Sequence, residues 1–278
     1  MTNIVAFEPG AGRSVLIVTA HADDAALFLG GTVARWAETG WNVVVVRVTD
    51  DRWDSFELSE PDTIAINKQQ FDSALAALGV AEVLELGYAT DTLADVSEVD
   101  LREKIIRLIR VHKPYALVTF DPYAMYHEDN QDHLMVAAAT DEAFWTAQFD
   151  KHHPEHLAEG LEPHGVFERW YFGRRVTDVT DVVDISSTIN RKIAAALCHD
   201  AMLRNLVNQL KLQARTGGWR IPLLDDLRSG DLSVLIDPML RQQAQVLGTR
   251  HGIAMAEEFR VVRFGGLSEL LEVFGERL

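Results

Sequence analysis

Thr19-Ala20-His21-Ala22-Asp23-Asp24 is the stretch whose reading decides the fold. Before it, Ser14 to Ala20 (SVLIVTA) is an apolar, β-branched run of the kind buried on both faces of a parallel sheet. After it, Ala25 to Gly40 reads as a helix, with Leu29, Val33, Trp36 and Ala37 on one face and a glycine at its end. His21 therefore falls at the carboxyl end of a strand, which is where open α/β sheets bind ligands. An imidazole and two carboxylates within four residues concentrate negative charge unless a cation sits among them. A divalent metal such as zinc accepts imidazole nitrogen and carboxylate oxygen, and catalytic sites use three protein ligands. The turn alone also allows a plainer reading, with Asp23 and Asp24 as N-caps and His21 as a hydrogen-bonded turn residue.

Outward from this stretch the alternation continues. Trp41 to Val48 (WNVVVVRV) is a second buried strand and ends in Thr49-Asp50-Asp51, so Asp50 and Asp51 are candidates for the same cleft as His21, or members of a solvated loop. Asn67 to Leu78 reads as a helix that stops at Gly79. Glu82 to Tyr88 is a short third strand, Leu101 to His112 a covering helix, and Tyr115 to Phe120 a fourth strand. Four alternations of this kind predict βαβ units with right-handed crossovers. The loop from Tyr123 to Asp132 then runs into a helix from His133 to about Ala147. It brings a second polar cluster to the carboxyl end of a strand, and His133 is the natural third ligand of a His21, Asp24, His133 site.

Farther on the signals weaken. Residues 151–166 hold His152, His153, His156 and His164 without carboxylate or cysteine partners at a recognised spacing, and read as a solvated loop. Val166 to Phe172 and Val179 to Ile185 read as strands, and Thr188 to about Thr216 as one long helix carrying Cys198 and His199 as packing residues. Arg215 to Arg220 is a glycine-bearing loop, a flap or merely a connection. Further helix is expected within 231–252, a last strand from Glu257 to Phe264, and a closing amphipathic helix from Leu267 to Leu278. Residues 1–13 read as a loose lead-in.

The 278 residues, 47% of them hydrophobic and 24% charged, suit one α/β domain spanning 1–278. A net charge of −16 disfavours nucleic acid and anionic membranes as main partners. One cysteine, Cys198, excludes an internal disulfide, and neither a basic-apolar leader nor a membrane-length apolar span is present, so a cytoplasmic protein is expected.

In this setting the chain resembles the LmbE-like zinc deacetylases, the PIG-L-type family of the N-acetylglucosaminyl-phosphatidylinositol de-N-acetylase. Ala20-His21-Ala22-Asp23-Asp24 looks like the family's Ala-His-x-Asp-Asp motif, and Asn130-Gln131-Asp132-His133 is similar to its His-Pro-Asp-His motif. Ala74 to Val80, Asp184-Ile185-Ser186 followed by Arg191-Lys192, and Ala256 to Arg260 support the likeness in order. It implies a Rossmann-like, mostly parallel sheet flanked by helices, with additional C-terminal strands and helices. It also implies one zinc ion per chain, or another divalent transition metal, held by His21, Asp24 and His133, with Asp23 as general base.

The chain departs from the pattern in places. Asn130 stands where the family has histidine, so the missing acid or oxyanion donor has two candidates, His127 or an Asp23 that returns the proton it takes; Glu128 stands where some members have tyrosine, with Tyr126 and Tyr123 as alternatives. Asn67 and Gln70 replace Arg-x-x-Glu, Thr49-Asp50-Asp51-Arg52 replaces Thr-x-Gly-Glu, and His199-Asp200-Ala201-Met202 replaces His-x-Ser-Gln.

The reading is a metal-dependent hydrolase removing an acyl group, acetyl by resemblance, from the amine of a small polar substrate, an N-acetylated amino sugar or glycoside. Asp23 and His127 are the catalytic candidates, Asp50 and Asn130 the substrate-binding ones. The alternatives are an amidase on a non-sugar amide and a non-catalytic small-molecule or metal-binding protein. A homo-oligomer is left open. A nucleotide-dependent oxidoreductase is disfavoured, because no Gly-x-Gly-x-x-Gly follows the first strand and Gly30-Gly31 lies within a helix, where it suits close packing.

Overall fold

The computed structural model describes every residue except 1, 8, 10, 11, 125, 228, 277 and 278. In chain order the strands are β1 (Asn3–Ile4), β2 (Ser14–Thr19), β3 (Asn42–Thr49), β4 (Glu82–Tyr88), β5 (Ala116–Phe120), β6 (Glu168–Phe172), β7 (Asp181–Asp184) and β8 (Ala256–Arg263). The helices are α1 (Asp24–Glu38), α2 (Glu60–Leu78), α3 (Glu98–His112), α4 (Gln131–Thr146), α5 (Pro154–Ala158), α6 (Ile189–Cys198), α7 (Asp200–Thr216), α8 (Pro222–Asp226), α9 (Ser233–His251) and α10 (Ser268–Phe274). One sheet of order β1-β7-β8-β6-β5-β2-β3-β4 runs through the molecule, parallel at every pairing except those of β8.

The central strands owe their place to their sequence. Val15 to Val18, Val43 to Val46 and Ala116 to Val118 are buried, as all-apolar strands covered on both faces must be. After β2 the chain adds β3 and β4 on one side, then crosses to add β5 and β6 on the other. The carboxyl ends of β2 and β5 therefore flank a topological switch point, where the sheet opens a crevice. Packing of α1, α2, α6 and α9 against one another and of α3 on α4 completes the layers. No described helix is long and apolar enough to cross a membrane.

Helix α1 is kinked at Leu29, whose φ of −134° and ψ of 19° are non-helical. The buried Glu257 carboxylate takes the N–H groups of Gly31 and Thr32, at 3.0 and 2.8 Å, and is paired with Lys192 at 2.6 Å. A Cβ on Gly31 would stand 2.6 Å from Ile185 Cγ2, so the close-packing role expected of Gly30-Gly31 is what the structure shows.

Several boundaries differ from the sequence reading. Helix α2 begins at Glu60 rather than Asn67; its first turn is specified by the Ser59 cap and a proline rather than by apolar periodicity. β1 pairs with β7 as a two-residue strand inside the expected lead-in. Residues 151–166 are not a solvated loop throughout: α5 forms there, and His156 is fully buried between Glu103 at 2.6 Å and Arg110 at 3.2 Å. The expected long helix is broken at His199, whose ψ of 53° stops α6, and α7 restarts with Gln70 Oε1 accepting the Ala201 N–H at 3.0 Å. That cap comes from α2, so local sequence does not announce it. The closing helix expected through Leu278 ends at Phe274, and residues 277 and 278 lie outside the described residues.

His199 is 1% exposed and its Nε2 has no partner. Burial pushes its imidazole down to about 4. Because the unfolded chain then binds more protons than the folded one between the two values, stability should fall as pH drops from about 6.5 towards about 4. The contribution lost between pH 7 and pH 5 is about 2 kcal/mol. Urea unfolding of metal-stripped protein at both pH values should show this component in the wild type and not in His199→Leu; equal pH slopes would refute it.

Candidate metal centre and cleft

His21 follows β2, and His133 lies in the first turn of α4, which Asn130 caps behind β5, so the switch point brings the two imidazoles together. His21 Nδ1 and His133 Nε2 are 3.0 Å apart. Asp24 lies 3.2 Å from His133 Nε2 through Oδ1 and 3.8 Å from His21 Nδ1 through Oδ2. One donor atom from each of the three residues falls within 4.8 Å of the others. All three residues are buried.

The capping alternative can be checked directly. Asp23 occupies the N-cap position of α1 and makes no side-chain cap bond, while Asp24 Oδ2 accepts the His21 N–H at 2.7 Å. Neither carboxylate therefore closes the helix; Asp24 faces the histidines and Asp23 lines the cleft.

Each imidazole is backed by a further carboxylate. Asp132 Oδ2 is 3.5 Å from His21 Nε2 and also accepts the Asp91 N–H at 2.7 Å. Glu128 Oε2 is 3.0 Å from His133 Nδ1, poorly aligned for a hydrogen bond, and both atoms are buried with no other partner. Glu128 Oε1 meanwhile takes the Asn130 N–H at 3.0 Å and Arg174 Nε at 3.1 Å. Phe120 stacks on the His133 ring, 3.9 Å between centroids and 16° between planes. Carboxylate support of a ligating imidazole fixes its tautomer and orientation.

The electrostatics point the same way. Burial lowers the His21 pKa, but the Asp132 hydrogen bond and the charges of Asp24, Asp51 and Asp23 outweigh it and hold the ring up to about 10. Burial likewise opposes His133, which Asp24 and Glu128 raise to about 9. Burial, then the neighbouring Asp24 and Asp54, push Asp23 well above the carboxylate range. The carboxylates that raise both imidazoles make a field that favours a cation. Two imidazoles, a carboxylate and outer carboxylates also match the donor chemistry of a divalent transition metal.

A second clamp holds the turn itself. Asp51 Oδ2 accepts the Ala22 N–H at 3.0 Å and pairs with the buried Arg47 at 2.8 Å, and Arg47 also pairs with Glu85. Asn67 Nδ2 donates to the carbonyls of Asp51 and Asp54, both at 3.0 Å. The cleft, about 400 Å³, is lined by His21, Asp23, Asp24, Asn130 and His133, and also by Trp53, Asp54, Thr90, Asp91, Arg174 and Asn205.

Of the residues singled out from sequence, His21, Asp23, Asp24, Asn130 and His133 thus converge. Asp50 does not line the cleft: its carboxylate is held by Arg52 and by the N–H of Thr90 at 3.4 Å, and Thr90 is the residue that lines it. His127 is exposed and absent from the lining, because the turn closed by its own N–H to the Ala124 carbonyl at 2.7 Å carries it outward. Glu128, Trp53, Arg174 and Asn205 were not expected. Glu128 stood out in the sequence only as a missing tyrosine, and the others come from segments with no motif. The other histidine group with ligand-like spacing, His153, Glu155 and His156, is accounted for by Arg110 and Glu103, which occupy both nitrogens of His156.

Fold and donor set together define an α/β protein with a mostly parallel sheet and a candidate mononuclear metal site at its switch point. Residues 16–144, which contain both motifs, match the family PIG-L, described as GlcNAc-PI de-N-acetylase. The 1D-myo-inositol 2-acetamido-2-deoxy-alpha-D-glucopyranoside deacetylase of Mycobacteroides abscessus is 32% identical over 159 residues, 48% of this chain and 57% of that one. The chain thus spans little more than half the length of that relative. The diacetylchitobiose deacetylase of Thermococcus kodakarensis is 26% identical over 191 residues, 68% of this chain and 70% of that one. Among solved structures, the N,N'-diacetylchitobiose deacetylase from Pyrococcus horikoshii superposes with a TM-score of 0.73 at 22% identity, covering 92% of this chain and 86% of that one. GalB, a 4-carboxy-2-hydroxymuconate hydratase from Pseudomonas putida, shares the fold at a TM-score of 0.63 and 18% identity, covering 90% and 96%. The fold therefore carries more than one chemistry, and only the site can decide among them.

Metal titration of the stripped protein should show about one divalent ion bound per chain. His21→Ala and His133→Ala should abolish that binding, and Glu128→Gln should weaken it by about 10- to 100-fold. Full occupancy in both histidine variants would refute the ligand assignment.

Proposed function

We propose that this protein is a metal-dependent N-deacetylase that releases acetate from the amine of an N-acetylated amino sugar or glycoside. The observation that carries the reading is the convergence of His21, Asp24 and His133 with an uncapping, cleft-lining Asp23 beside them. The PIG-L match over both motifs and the deacetylase relatives support the reaction class.

In this proposal His21, Asp24 and His133 hold one zinc ion. When bound, the ion supplies Lewis-acid chemistry, polarising the amide carbonyl and lowering the pKa of a water. Asp23, adjacent to the ligands and not itself one of them, takes the proton of the attacking water. An amide nitrogen is too poor a leaving group to depart as an anion, so a proton must reach it. Asp23 returns the proton it took, since the exposed His127 does not line the cleft. Asn130 spends its Oδ1 on the N–H groups of Asp132 and His133, which leaves Nδ2 as its donor for a substrate oxygen. Trp53, 52% exposed on the cleft wall, offers a ring face to a sugar.

Acetate release from N-acetylated amino sugars should be abolished by a chelator and restored by metal. Asp23→Asn should keep its metal and lose about 10²- to 10⁴-fold in kcat, the range of a general acid-base group. His127→Ala should turn over at nearly the wild-type rate. Unimpaired turnover in Asp23→Asn, or a collapse of kcat in metal-loaded His127→Ala, would overturn these assignments.

A further inference from the structure

Asp54 lines the cleft beside the candidate metal centre, and only one oxygen of its carboxylate is engaged. It belongs to the loop after β3, where its N–H donates to the Asp51 carbonyl and its own carbonyl accepts from Asn67 Nδ2, both at 3.0 Å. Asp51 in turn holds the Ala22 N–H, so the backbone of Asp54 is tied through Asp51 to the turn that carries His21. From α7, Asn205 Nδ2 donates to Asp54 Oδ1 at 3.0 Å and fixes the direction of the carboxylate. Among the described residues, Oδ2 has no hydrogen-bond or ion-pair partner. Burial pushes this carboxyl up from its ordinary value, against the Asn205 hydrogen bond that holds it down.

The place of Asp54 decides what it can meet. It lines the same cleft as Asp23, and after burial and Asp24 its charge is what pushes Asp23 upward, so the two carboxylates are neighbours. Asp23 faces the amide in the proposed reaction, and a group that reaches Asp54 therefore lies close to the acylated nitrogen. In a glycoside of a 2-acetamido sugar, the carbon bearing that nitrogen has two neighbours in the ring. The oxygen on one, C1, is in the glycosidic bond and carries no hydrogen, while the other, C3, carries a hydroxyl. An ionised carboxylate only accepts hydrogen bonds, so the C3 hydroxyl is the neighbour that suits it.

We propose that Asp54, oriented by Asn205, is a specificity-determining residue that accepts the hydrogen bond of the C3 hydroxyl, and that the substrate is an N-acetylated amino sugar unsubstituted at that oxygen. The inference rests on the proposed deacetylase function and adds to it which sugars are refused. An ether or ester at C3 removes the donor and leaves Oδ2 shielded from water against a group that cannot pair with it. A site built to bind a hydroxyl rejects an analogue lacking one for this reason.

Calorimetric titration in the zinc-loaded Asp23→Asn background reads binding while turnover is held down. The probes are methyl N-acetylglucosaminide, its 3-deoxy analogue and its 3-O-methyl ether. The parent sugar should bind about 10-fold or more tightly than either analogue. Adding Asp54→Ala should weaken the parent by about that factor, leave the affinity of the 3-deoxy analogue unchanged and bring their ratio close to one, a pattern that a general loss of structure does not give. Asn205→Ala, which leaves the backbone clamp of Asp54 in place, should narrow the ratio; a ratio untouched by that change would overturn the orienting role. Equal affinities for all three probes with Asp54 present, no binding of any of them, or a preference that survives Asp54→Ala would overturn the inference. Failure of the zinc-loaded wild type to release acetate from the parent sugar, with the C3 preference intact, would instead count against the deacetylase reading alone.

Discussion

Two imidazoles face each other across 3.0 Å inside a ring of carboxylates, and much of the surrounding structure serves to keep them there. Unpaired, such a cluster is costly to bury, because charges of one sign repel strongly where water is excluded. Asp24, Asp132 and Glu128 each have one oxygen near a ring nitrogen and another group, backbone or guanidinium, on the rest of the carboxylate. With carboxylates on both sides of the facing ring nitrogens, the centre of the arrangement suits a cation held between them.

The scaffold holds that arrangement from three directions. Arg47 and Asp51 fix the turn after β2 from the neighbouring strand, so a buried ion pair, of doubtful benefit to stability by itself, sets the position of His21. Phe120 at the end of β5 stacks on His133 and packs against Phe172 of β6, 4.5 Å between centroids. Glu257, from the one antiparallel strand, occupies the backbone donors freed by the kink in α1. Phe28, next to the kinked Leu29, lines the cleft with its ring 6.2 Å from that of His133. Residues far apart in sequence are thus tied into one wall of the cleft.

The same geometry separates residues that the sequence places side by side. Asp23 and Asp24 are adjacent, yet one turns to the histidines and the other lines open space. Glu128 and His127 are adjacent too, and one is buried against His133 while the other faces solvent. Alternate residues of a tight turn point in different directions, so a motif identifies the neighbourhood of a site before it identifies each member's work.

The alternation of apolar strands with amphipathic helices was enough to determine the parallel sheet, because Val15 to Val18 and Val43 to Val46 have no stable place except between two layers. The His-x-Asp-Asp turn and the later His133 were legible as a candidate ligand set, since both lie at carboxyl ends of strands that such a sheet aligns along one edge. Hidden from the sequence were the partners supplied across the fold: Glu128 and Asp132 behind the rings, the Gln70 cap that breaks the long helix at His199, and the Arg110 contacts that bury His156 in an apparently solvated loop. Local periodicity reports which face of an element is apolar. It carries no information about which distant polar group will meet a given side chain once the elements pack, and that choice, made by the tertiary structure, placed Asp23 in the cleft and left Asp50 and His127 outside it.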